Sequence, residues 1–253
     1  MWFLEYRELI RILTISDLKV KYQSSMLGFA WSLLNPLLMM LVLYTVFRNI
    51  FKMTQGDTAF YILIGLISWR FFANGTSLSM TVIVGKSSLV TKIYIPRQVL
   101  VISAVLSNFI SSILEFLVLV PLLIVFGAGL SPYILLFPVI HVIYFLIVYG
   151  ISLTLSALYV YYRDLTQIWE VLLQIGFFLS PIVYPLTMVP PEYLRIYMLN
   201  PMSALIQMYR DVLLYHRLPS IEDFALTLGV GLVLVAAGSF IFSRLERRFA
   251  EEI

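Results

Sequence analysis

The sequence contains no cysteine, which excludes disulfides and thiolate metal sites; that absence suits either side of a membrane and fixes no compartment. Charge is scarce too. Asp, Glu, Lys and Arg make up 12% of the 253 residues, against roughly a quarter in an ordinary soluble domain. With 61% hydrophobic residues, a soluble core could not hide the apolar surface, and no stretch between the apolar runs is long enough for a large soluble domain. The net charge of +3 is too small to point to nucleic acid. Histidine is limited to His141 and His216, neither beside a carboxylate or second histidine at ligand spacing, so no metal site is expected. Gly85, Lys86 and Ser87 spell the end of a phosphate-binding loop, but the position of its first glycine is Met80, and the triplet follows an apolar run rather than a strand. No G-x-S-x-G elbow occurs, and no catalytic residue is assigned. The N-terminus has Trp2, Phe3 and Glu5 where a secretory signal has a basic region and a short apolar core, so it is expected to be retained.

What the chain does have is apolar runs of about 20 residues or more, the length that crosses a hydrocarbon layer. Six occur, at about 27–50, 58–84, 98–126, 133–160, 166–188 and 222–243. The fold class is therefore all-α integral membrane protein: six transmembrane helices, an N-terminal amphipathic interface helix, and an outer re-entrant helical hairpin between spans five and six. As one transmembrane domain it divides into interface helix and elbow (1–26), spans one to five (27–188), hairpin (189–219), and span six with a tail (220–253). Residues 2–13 put Trp2, Tyr6, Leu9 and Leu13 on one helical face and Glu5, Glu8 and Arg11 on others, as on a helix lying at the membrane surface. The stretch from Asp17 to Leu38 then turns the chain into the membrane, with Gly28 free to bend.

Lys and Arg are distributed unevenly between the two sides. Arg7, Arg11, Lys19 and Lys21, then Lys86, Lys92 and Arg97, then Arg163, then Arg244, Arg247 and Arg248 fall on one side. Only Arg48, Lys52, Arg195, Arg210 and Arg217 fall on the other, and the positive-inside bias puts both termini in the cytoplasm. The outward segment from Pro190 to Pro219 is too polar to span and too apolar for a free loop, and Asn200–Pro201 divides it into two short amphipathic stretches. Two readings fit: a hairpin dipping into the outer layer, or a lid lying flat.

Arg70 lies about 12 residues from the outer start of span two, and Glu115 about 11 from the outer end of span three, so they share a depth. An unpaired Arg at mid-membrane costs about 2.5–3.5 kcal/mol on insertion scales, which predicts a structural Arg70–Glu115 ion pair. In span one Trp31, Asn35, Thr45 and Asn49 recur on one helical face, and in span five Gln174, Phe177 and Tyr184 do the same. Lipid disfavours both faces. They are expected either to line a channel, where amides and rings suit sugars, or to glue helices together.

These residues resemble a known family. DLKVKYQSSMLGFAWSLLNPLL (17–38), YILIGLISWRFF (61–72), SSLVTKIYIPRQVLVISAVLSNFISSILEF (87–116), YYRD (161–164), FLSPIVYP (178–185) and LNPM (199–202) are similar, in this order, to the transmembrane subunits of type-2 ABC exporters of O-antigen or teichoic-acid polysaccharides, the Wzm-type permeases. The resemblance implies a homodimer with one channel between the copies, spans one and five lining it, and a lipid-linked polysaccharide as cargo in the bacterial inner membrane. It also implies a separate ABC ATPase homodimer that holds ATP and Mg, which leaves this chain with no cofactor. Lys92, Ile93, Tyr94 and Arg97, with Arg163 and Asp164, would then be the ATPase-coupling residues. The family pattern has an uncharged residue where this sequence has Arg70. Export of a small lipophilic substrate, and proton-coupled transport, stay open as alternatives.

Overall fold

The computed structural model of the protein describes residues 5–23, 28, 30–49, 58–92, 95–126, 129 and 131–249. Among them every regular element is helical: α1 (Arg7–Gln23), α2 (Ala30–Asn49), α3 (Thr58–Gly85), α4 (Ser87–Lys92), α5 (Gln98–Val125), α6 (Phe137–Tyr161), α7 (Leu165–Phe178), α8 (Pro191–Met198), α9 (Pro201–Leu213) and α10 (Ile221–Leu245). Short 3-10 turns sit at Pro132–Leu136, Leu186–Met188 and Glu246–Arg248. By length and composition, α5, α10 with the turn after it, and α6 with the turn before it are long and apolar enough to cross a membrane.

The core lies among α3, α5, α6 and α9, and it is aromatic. Phe71, Phe116, Phe137, His141, Tyr144 and Tyr209 meet edge to face or stacked, with centroids about 5–6 Å apart. His141 finds its place here: Nδ1 lies 2.6 Å from the Tyr209 hydroxyl. Tyr144 donates to the Ser68 carbonyl at 2.6 Å, so a phenol that would otherwise be stranded is satisfied.

Helices α6 and α10 pack most extensively, and two glycines explain how. A Cβ on Gly150 would lie 2.5 Å from the Leu234 carbonyl carbon, and one on Gly238 would overlap the Gly150 oxygen. Small residues let the two backbones touch, as helices in lipid require when packing rather than water drives association.

Two expectations about the chain's course change. Instead of ending near residue 13, α1 runs on to Gln23, and its Ile10 and Thr14 are buried against α5. It climbs α5 in the same direction: the Thr14 hydroxyl reaches the Ser103 carbonyl at 3.5 Å, and the Tyr22 hydroxyl reaches Ser111 at 2.9 Å. The Asn108 amide oxygen and the Ser111 hydroxyl of α5 give the far end of α1 polar anchor points. Gly28, at φ 48°, then makes the bend before α2. The fifth apolar segment, expected over 166–188, is helical only to Phe178. Pro181 has no N–H to continue the ladder, and it biases Ser180 away from helical geometry.

The segment after it breaks where Asn200–Pro201 stands. Asn200 caps α9, its side-chain oxygen accepting from the Met202 N–H at 3.0 Å, with Pro201 at the first helical position. Eleven of the thirteen residues of α9 are buried, against α3, α6 and α10.

Candidate functional site

The bundle has two ends, set by the 28 residues of α3. At its Gly85 end, Lys86 holds both oxygens of Asp17 at 2.6 and 2.8 Å, so the lysine of the false phosphate loop is occupied by a carboxylate. On the same side Glu246 accepts the Arg97 backbone N–H at 3.1 Å and pairs with its guanidinium at 3.6 Å, while the Tyr161 hydroxyl donates to the Leu245 carbonyl at 2.9 Å. Buried Phe249 packs on Tyr161 and Phe242. Arg97 is thus turned toward the C-terminal segment. Arg163 and Asp164 are exposed in the turn between α6 and α7. Of the remaining coupling candidates, Ile93 and Tyr94 lie outside the described residues, and Lys92 ends α4.

Near the opposite end, Arg210 on α9 is fully buried. It donates through Nε and Nη2 to the Tyr61 carbonyl at 3.3 and 2.9 Å and through Nη2 to the Ile182 carbonyl at 3.0 Å. Its guanidinium also sits 3.2 Å from the Tyr61 ring centroid. This clamp ties α9 to α3 and to the turn after α7. Sequence reasoning missed it, because Arg210 stands in a polar-looking segment with no sequence neighbour as partner.

Midway along α3 and α5, Arg70 Nη2 lies 3.7 Å from Glu115 Oε1. Arg70 also lines a cavity of about 310 Å³ with Asn35, Pro36 and Met39 of α2, Leu66, Trp69 and Asn74 of α3, and Phe177 of α7. Trp69 meets Phe177 edge on, with centroids 6.0 Å apart. The Trp169 indole N–H donates to the Thr76 hydroxyl at 3.0 Å and docks α7 on α3.

The structure therefore brings Asn35 and Phe177 together at one cavity and adds Trp69 and Asn74. The added pair was legible: Trp69 and Arg70 stand three and four residues after Leu66, and Asn74 four after Arg70, all on one side of a helix. Trp31, Asn35, Thr45 and Asn49 are exposed along α2, and Gln174 along α7. Thr45 bonds its own helix, at the Leu41 carbonyl, 2.7 Å away. Tyr184 stands apart from the cavity, its hydroxyl donating to the Phe178 carbonyl and meeting the Tyr197 hydroxyl, both at 2.6 Å. Helix α7 has no buried residue, and Ile168, Val171, Leu172, Ile175 and Phe178 are all exposed.

The sequence pattern of the ABC-2 type transporter family matches residues 8–214. The chain is 34% identical over 251 residues to the O-antigen export system permease protein RfbA of Myxococcus xanthus, covering 98% of this chain and 96% of that one. It is 30% identical over 249 residues to the protein of the same name from Klebsiella pneumoniae, covering 96% and 94%. The polysialic acid transport protein KpsM of Escherichia coli is 23% identical over 211 residues, 81% of each chain.

Proposed function

The chain belongs to the ABC-2 type transporter family, and from that premise we propose that it is the permease subunit of an ATP-driven exporter moving a lipid-linked polysaccharide, O-antigen or similar, across the bacterial inner membrane. The observation that carries this reading is the cavity of Trp69, Phe177, Asn35 and Asn74, in a chain similar along nearly its whole length to permeases named for O-antigen export. Rings rest on the C–H faces of sugars, and amides exchange hydrogen bonds with hydroxyls. Weak contacts of this kind let a polymer slide, whereas a deep site would stall it.

In this reading α2, α3, α5, α6, α7 and α10 are six spans, with α8 and α9 a re-entrant hairpin in the outer layer and both termini cytoplasmic. A second copy completes the channel, which is why α2 and α7 keep amides and large apolar side chains uncovered. Energy comes from a separate ATPase pair holding ATP and Mg, docked at the end that carries Arg97, Arg163 and Asp164.

The test is export. In a strain deleted for the permease gene, the wild-type chain restores surface polysaccharide, while Phe177→Ala with Tyr184→Ala lowers it severalfold with the ATPase still co-purifying. A double variant that exports at the wild-type level counts against the lining. A wild-type chain that retains its ATPase yet restores no polysaccharide overturns the cargo.

A further inference from the structure

Arg70 offers five N–H donors, yet its contact with Glu115 is a single approach at 3.7 Å, beyond hydrogen-bond range. Its Nε is buried with no hydrogen-bond partner among the described residues. Glu115 does not serve Arg70 alone. Lys21 lies on the exposed side of α1, but its ammonium bonds Asn108 and Ser111 at 3.3 Å each, two turns and one turn before Glu115 on α5. Asp17, the nearest acid on α1, is already held by Lys86 with both oxygens.

Two cations, Arg70 and Lys21, thus stand near one carboxylate midway along the bundle, and Arg70 faces an opening. Arg70 lines the 310 Å³ cavity together with the amides of Asn35 and Asn74, whereas Glu115 does not line it. An anion in that cavity would meet the guanidinium fork and two amides without meeting the carboxylate. A planar guanidinium matches two oxygens of a phosphate at once, and it does so more strongly where water is scarce.

We propose that Arg70, backed by Lys21, forms an oxyanion subsite in this cavity that takes the phosphate of the lipid-linked cargo. The proposal rests on the reading of the chain as a polysaccharide permease and adds a point of charge to it. The phosphate-bearing end of the cargo is held at this level, while the sugar units that follow meet only rings and amides. Bilayer phospholipid offers the same phosphate chemistry, so the experiment has to separate the two sources.

The full-length chain in phosphatidylcholine nanodiscs is titrated with a long-chain polyprenyl monophosphate and with the corresponding uncharged polyprenol. The wild type binds the phosphate, Arg70→Gln weakens that binding at least about tenfold, and polyprenol binds both alike. Arg70→Lys, which keeps the charge without the fork, retains part of the affinity. Because Arg70→Gln strands Glu115, the double variant Arg70→Gln/Glu115→Gln is measured beside it and shows the same loss. Equal phosphate binding by the wild type and both variants overturns the subsite. Competition by phosphatidylglycerol in the nanodisc as strong as that of the polyprenyl phosphate gives the site to the bilayer and overturns the cargo assignment. If the wild type exports polysaccharide while phosphate binding ignores Arg70, this inference alone fails. If it neither exports polysaccharide nor binds the phosphate, the permease reading beneath it fails as well.

Discussion

Replacing Arg210 by Met removes the clamp while keeping most of its volume. The native guanidinium serves two carbonyls, of Tyr61 and Ile182, and lies against the Tyr61 ring. A buried carbonyl left without its donor costs about 1–3 kcal/mol, and a desolvated cation–π contact is worth about 2 kcal/mol. Against this, the variant no longer has to keep a charge out of water, a cost of several kcal/mol per ion that offsets part of the loss. The net expectation is a destabilisation of about 2–3 kcal/mol, because the Ile182 carbonyl loses its donor, the ring contact is gone and methionine cannot donate in place of the guanidinium, whereas the Tyr61 carbonyl keeps its helical bond. For a chain of this size that lowers the melting temperature by about 5–10 °C, read by thermal unfolding of the purified protein in detergent. Crossing Arg210→Met with Tyr61→Leu isolates the ring contact, and the pair should couple by about 1–2 kcal/mol. Gly65 belongs to the same device: a Cβ there would lie 2.9 Å from both Arg210 Nη2 and the Ile182 oxygen, so Gly65→Ala should act in the same direction. An Arg210→Met protein that melts with the wild type, or a cycle with no coupling, would refute the clamp.

Three other substitutions probe separate parts of the chain. Gly238→Ala should destabilise by about 1–3 kcal/mol or more, since the added methyl meets the Gly150 backbone and not a flexible side chain, while Gly229→Ala, with open space around it, should not lower the melting temperature. Asp17→Asn should cost about 1 kcal/mol by releasing Lys86 from its two-oxygen contact, and the swap Asp17→Lys/Lys86→Asp should recover part of it in the same melt. Glu246→Ala should leave stability within about 1 kcal/mol, because its pair with Arg97 is partly exposed, yet lower export by freeing Arg97 at the end where the ATPase is proposed to dock; unchanged surface polysaccharide would sink that link.

By itself the sequence determined whatever depends on near neighbours. The all-helical character follows from long apolar runs, the break before α9 from Asn200–Pro201, and the bend at Gly28 from a residue that tolerates positive φ. Arg70 and Glu115 could be placed at one depth because helical rise is constant, and their charged atoms lie 3.7 Å apart. Only the tertiary structure decided which distant groups meet. Arg210 is 149 residues from Tyr61, and nothing along the chain says that an arginine of this segment ends buried against that carbonyl. Lys21 joins the level of Arg70 and Glu115 because α1 climbs α5, its far end held by Asn108 and Ser111, which read as unremarkable polar breaks in an apolar helix. Periodicity tells which face of a helix must be covered, but the partner that covers it is chosen by packing between elements far apart in the chain, and that choice placed the guanidinium of Arg70 at a cavity with Asn35 and Phe177.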